Sequence, residues 1–159
     1  MFPWSCCLAV SLLAGDASLP LANFDGPNSL KGWTASDGGS LALGPGHVGH
    51  GAVLTYALAN GGSATVMWTP AKPIAVKHRS ALSLWVRSSP QVKLAALVRD
   101  RNRQITRYPF EAATLENQDG GWRQVVIPLA AEGRIASLGI SAEARFPATI
   151  RGTVTFDDI

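Results

Sequence analysis

A chain of 159 residues has material for one domain with a sizeable core, and a second independent domain is not expected. Apolar residues make up 47% and charged residues 16%, which is too hydrophobic for intrinsic disorder, while 16 glycines and 10 prolines argue for many turns and against long helices. The formal net charge is only +3 and none of the motifs of nucleic-acid binders is present, so nucleic acid is not an expected partner.

Residues 1–17 read as an export signal. An apolar run from Cys6 to Ala14 precedes Gly15-Asp16-Ala17, which puts small residues at the two positions that direct cleavage after Ala17. Met1–Ser5 carries no Lys or Arg, a departure from the usual start of such a signal. The run is far shorter than the roughly 20 apolar residues of a spanning helix, so no membrane anchor is expected and residues 18–159 form a secreted or periplasmic domain. Both cysteines, Cys6 and Cys7, fall inside the signal, which leaves the domain without a disulfide or a thiol. Loss of Asp16 with the signal raises the charge to +4.

Beyond the signal, short segments of alternating apolar and polar residues recur, each bounded by Gly, Pro, Asn or Asp. They predict strands over Leu21–Asp25, Ser40–Leu43, Ala52–Leu58, Ala64–Thr69, Ala81–Ser88, Val92–Asp100, Ile105–Phe110, Arg123–Leu129, Ile135–Ala142 and Gly152–Asp158. No convincing helix interrupts them, so the expected fold is all-β, a two-sheet antiparallel β-sandwich. Leu82, Leu84 and Val86 share one face of their strand with Ser83, Trp85 and Arg87 on the other, and Val125, Ile127 and Leu129 form a second inward set. Ser88-Ser89-Pro90-Gln91 and Arg101-Asn102-Arg103 are short enough to close consecutive hairpins, whereas Glu111–Gly121 reads as a longer polar loop. The last strand runs to Ile159 with no turn behind it, so the domain is expected to be truncated at its C-terminal strand.

A series of landmarks follows this strand order: Asn23-Phe24-Asp25, Trp33, the glycine-rich stretch ending Gly49-His50-Gly51, Leu82-Ser83-Leu84-Trp85-Val86, Val98-Arg99-Asp100, Gly121-Trp122 before Val125-Val126-Ile127-Pro128-Leu129, and Phe156-Asp157-Asp158-Ile159. Together they resemble the galactose-binding-like jelly rolls, in particular the carbohydrate-binding modules attached to secreted glycoside hydrolases. The resemblance covers most of Leu21–Ile159. It implies a sandwich that binds a polysaccharide or oligosaccharide without catalysis, beside a downstream catalytic domain of the same polypeptide. The fold also hosts inert spacers and docking domains, so function must come from the site.

The resemblance further implies a structural calcium where the first and last strands meet, matched here by Asp25, the Gly44–Gly51 loop and Asp157 or Asp158. Calcium takes about six to eight oxygens and accepts a mixture of carboxylates and carbonyls, but the loop has no acid, and the alternative is that these aspartates cap turns. For sugar contact the candidates are aromatics with nearby hydrogen-bonding side chains, because pyranose faces pack on rings and hydroxyls pair with polar groups. Trp85 and Arg87 share a strand face, Arg107 and Tyr108 lie one hairpin further on, and Trp68 shares its face with Val66; packing is the competing role for each ring. Trp33 and Trp122 read as structural.

His47 and His50 lie three apart in a glycine-rich loop with no helix to aim both rings and no third ligand nearby, so loop polarity explains them better than zinc. His78 sits in a basic turn. Arg99, Arg101, Arg103 and Arg107 are the one local concentration of charge, either a solvated face or a surface for an anionic polymer. No Gly-x-Ser-x-Gly elbow or Ser/His/Asp set is legible, and Glu111, Glu116, Glu132 and Glu143 are dispersed, so catalysis by this chain is not expected.

Overall fold

A computed structural model of the chain describes residues 20–36, 38–77, 80–88, 91–110, 121–129 and 133–159, and the backbone alone of 114–119. The signal segment and its two cysteines, His78, Glu111 and Glu132, and the Glu116 side chain therefore lie outside the described residues.

Alternation of apolar side chains builds two sheets of six strands each. The first runs β1 (Trp33–Ala35), β4 (Ser63–Trp68), β11 (Gly133–Ala144), β7 (Val92–Asp100), β8 (Ile105–Pro109), with short β5 (Ile74–Val76) paired to the start of β11. The second runs β2 (Gly39–Pro45), β3 (His50–Leu58), β12 (Ile150–Asp157), β6 (Ala81–Ser88), β10 (Trp122–Pro128), β9 (Thr114–Asp119). Every neighbouring pair is antiparallel.

The buried faces meet between the sheets. Leu82, Leu84 and Val86 of β6 and Val125 and Ile127 of β10 face Val92, Leu94, Ala96 and Val98 of β7 and Leu138, Ile140 and Ala142 of β11 in one core. Each fully buried Val, Leu, Ile or Phe side chain is worth about 1.5–3 kcal/mol. At one end Phe24, Trp33 and Phe156 stand within 5.3–5.7 Å of one another, and Trp33 stacks on Trp68 at 6.2 Å. The structural role read for Trp33 is thus observed directly.

Several expectations are corrected. Leu21–Asp25 forms no ladder; Leu21 and Ala22 donate to the Ile159 carbonyl and Ile159 donates back to Ala22, tying this segment to Ile159. β1, β5 and β9 were not foreseen. The first two are three residues long, and β9 (Thr-Leu-Glu-Asn-Gln-Asp) is a polar edge strand paired with β10. Gly121, at φ 82°, completes the tight turn between them. The β6–β7 connection is no hairpin: the two strands belong to different sheets, which lets both apolar faces bury against each other across the sandwich. The β7–β8 hairpin stands, with Arg103 left-handed at φ 66°.

Candidate functional site

Two regions collect polar and aromatic side chains away from the core. The first is the corner where β12 ends beside the β2–β3 loop. Gly46-His47-Val48-Gly49 reverses the chain, Gly46 donating its N–H to the Gly49 carbonyl at 3.0 Å. Asp157, the last residue of β12 and 1% exposed, accepts the His47 and Val48 amides on Oδ2 at 2.9 and 3.2 Å and the Asp158 amide on Oδ1 at 3.0 Å. Asp25 accepts the His50 amide at 2.8 Å, with the His50 ring nitrogen 3.5 Å from the same oxygen. A β-carbon on Gly46 would collide with the Asp157 carboxylate, and one on Gly49, whose φ is 69°, with that of Asp25. Close approach therefore requires glycine at both places.

The same loop lays its imidazole on an indole. His47 stacks on Trp85 with 3.8 Å between centroids and 8° between planes, and meets Trp122 edge-on at 5.8 Å, while Arg87 lies over Trp122 at 5.0 Å. Trp85 points outward from the second sheet, opposite Asp157 on one side and Gln124 on the other. One face of its ring is thus occupied by protein. Trp122 is buried, as its structural reading required.

The three aspartates are brought to one corner, as the sequence suggested: partial burial first, then Asp157 and Asp25, push the Asp158 carboxyl above its ordinary value, partly opposed by His47. The Asp25 and Asp157 oxygens, however, meet backbone N–H groups. A calcium ion needs carbonyl and carboxylate oxygens converging, and here the loop presents amides to the acids. Among the described residues no three His, Cys, Asp or Glu side chains group closely enough to hold a metal.

The second region is the outward face of the first sheet. Register sets it out: Ser137, Gly139, Ser141 and Glu143 of β11 lie opposite Arg99, Leu97, Ala95 and Lys93 of β7, with Thr65 and Met67 of β4 on one side and Arg107 of β8 on the other. Arg107 reaches across β7 to Glu143 at 2.7 Å, passing the level of Ala95, which is 0% exposed. Ser137 and Ser141 are each 2% exposed although they leave the sheet on the side away from the core. Their hydroxyls, and Nε of Arg99, have no hydrogen-bond partner among the described residues. An unpaired buried polar atom carries a desolvation cost of about 1–3 kcal/mol.

The five residues expected to meet sugar do not come together. Trp85 and Arg87 are on the outward side of the second sheet and Arg107 on that of the first. Trp68 and Tyr108 pack against the core, because β4 buries Ala64, Val66 and Trp68 on alternate positions and Tyr108 has the opposite parity to Arg107. Sequence reading missed Ser137, Ser141 and Arg99 as site residues. Their signal was small polar residues at alternate positions of an otherwise apolar strand, which reads equally as a solvated face.

Four of the described carboxylates have structural partners: Asp25 and Asp157 hold the loop, Asp100 accepts the Gln104 amide at 2.9 Å, and Glu143 pairs with Arg107.

No family model matches the chain, and no curated protein sequence does. Solved structures do. A carbohydrate-binding module specific for non-crystalline cellulose, CBM28, superposes with a TM-score of 0.58 at 12% identity, over 91% of this chain and 94% of its own. The family 11 carbohydrate-binding module of the cellulosomal cellulase Lic26A-Cel5E of Clostridium thermocellum gives 0.57 at 13% identity, over 91% and 94%. A structure from work on promiscuous carbohydrate-binding modules of the β-sandwich superfamily gives 0.61 at 13% identity, over 92% of this chain and 62% of that one. The chain shares the β-sandwich fold of these modules.

Proposed function

We propose that this chain is a non-catalytic carbohydrate-binding module that takes a glycan on the outward face of the first sheet. The observation that carries the proposal is the polar set of Ser137, Ser141 and Arg99, with no hydrogen-bond partner for the Ser hydroxyls or Arg99 Nε among the described residues, on a face that does not pack on the core. Glycan hydroxyls both donate and accept, and so suit a face of polar and guanidinium side chains. Arg107 stands exposed on the same face, and the fold, shared with sugar-binding modules, supports the reading. Export by residues 1–17, and attachment to a carbohydrate-active enzyme, belong to the same proposal.

Retardation of the chain in native gels containing soluble polysaccharides, with pull-down on insoluble ones, tests it. Binding lost in Arg107→Ala and kept in Trp85→Ala supports the first-sheet face; binding lost in Trp85→Ala alone moves the site to Trp85 and Arg87 on the second sheet. A second reading, a spacer or docking domain that binds no sugar, is favoured by the His47 ring covering Trp85. Failure of every polysaccharide to retard the wild-type chain would establish it.

For the acidic corner we adopt closure by direct carboxylate-to-amide bonds over a structural calcium ion. Equal melting temperatures in excess calcium and in chelator support the direct bonds, and a rise with calcium restores the ion.

A further inference from the structure

This inference rests on the sugar-binding reading and names the ligand class of its site. On the outward face of the first sheet, Lys93, Arg99 and Arg107 stand against one carboxylate, Glu143. Arg107 lies opposite Leu97, two residues from Arg99, so the two arginines are diagonal neighbours on adjacent strands, a spacing that long side chains bridge. Among the described residues Arg99 Nε is buried without an acceptor, and Ser137, whose hydroxyl likewise has no partner among them, is directly opposite it. A guanidinium short of an acceptor is matched by a carboxylate or sulfate, whose oxygens suit its planar fork. Arg101 and Arg103, exposed in the β7–β8 turn, extend the positive field from the Arg99 end.

The outward residues described on β4, β11, β7 and β8 include no aromatic ring. The stacking platform on which a neutral pyranose face packs is therefore missing from this surface. Charge and hydrogen bonding are what it offers instead.

We infer that the outward face of the first sheet takes an anionic polysaccharide, one carrying uronate carboxylates or sulfate esters. Arg99 and Arg107 grip the acidic groups.

The test measures binding of the full chain, at near-physiological salt, to polygalacturonate, dextran sulfate, neutral barley β-glucan and a single-stranded DNA oligonucleotide. Binding to a polyanionic polysaccharide is expected to exceed that to β-glucan and to DNA. Arg99→Gln and Arg107→Gln should each weaken it by about tenfold or more, and Arg151→Gln, exposed on the second sheet, should leave it unchanged. Preference for polygalacturonate identifies the carboxylate source and preference for dextran sulfate the sulfate source; either supports the inference. Binding of β-glucan without the polyanions overturns the anionic class and leaves the sugar-binding reading standing, whereas binding of no polysaccharide overturns both. DNA bound as tightly as the polyanions, or an equal loss in Arg151→Gln, overturns it by showing attraction of charge alone.

Discussion

Asp157→Ala should be among the most damaging single substitutions in this protein, although it removes no apolar packing. The carboxylate is 1% exposed and accepts three backbone N–H groups, those of His47, Val48 and Asp158. Hydrogen bonds to a charged partner contribute about 1.5–3 kcal/mol each, and the amides left behind keep part of their desolvation cost, but the three share one acceptor and do not add fully. An overall loss of about 3–5 kcal/mol follows. With a urea m-value of about 2 kcal/mol/M for a domain of this size, the unfolding midpoint should fall by about 1.5–2.5 M. Asp157→Asn keeps a carbonyl acceptor and should lose about half as much. Because His47 rides on the loop held by Asp157, the Trp85 fluorescence signal should change in both variants before global unfolding. A midpoint shift within the range of an ordinary surface substitution, about 0.5 kcal/mol, would refute the clamp.

Three further outcomes follow from the same geometry. The Asp158 carboxyl is held above its ordinary value by burial first and by Asp157 and Asp25 next, so the native state binds its proton more tightly than the unfolded chain. The resulting stability is complete below the unfolded-state value and is lost as pH rises through the raised folded one; Asp158→Asn should therefore raise the melting temperature at pH 7 relative to wild type, with the gap closing in acid, and a gap independent of pH would contradict this. His47→Ala uncovers one face of Trp85, which should red-shift tryptophan emission and cost about 0.5–1.5 kcal/mol in a denaturant titration, without altering polysaccharide retention. Tyr108→Phe removes a buried hydroxyl that has no hydrogen-bond partner among the described residues, so stability should hold or rise slightly; loss of sugar binding in this variant would place Tyr108 outside the core after all.

The sandwich was legible because its central strands alternate cleanly: Leu82, Leu84 and Val86, and then Val125 and Ile127, point inward as their spacing requires. What escaped is pairing decided at a distance. β1 and β5 are too short to carry a period, β9 is polar because an edge strand needs only its backbone, and β6 and β7 separate into different sheets although a few residues join them. The site was less legible for the same reason. Parity within a strand separates Arg107 from Tyr108 and Trp85 from Leu84, but which outward side chains meet depends on neighbours two strands away, as with Arg107 and Glu143 across β7. The acidic corner was placed correctly from Asp25, Asp157 and the glycine loop, while the groups that meet those acids are backbone amides, which no side-chain pattern announces.

Native-gel retardation of the wild-type chain, Arg107→Ala and Trp85→Ala across one panel of neutral and acidic polysaccharides tests the central claim most directly. Retardation of the wild type by at least one polysaccharide, abolished in Arg107→Ala and preserved in Trp85→Ala, is the predicted result. A wild-type chain that runs unretarded in every gel, or one whose retardation depends on Trp85 and not on Arg107, would contradict a glycan site on the outward face of the first sheet.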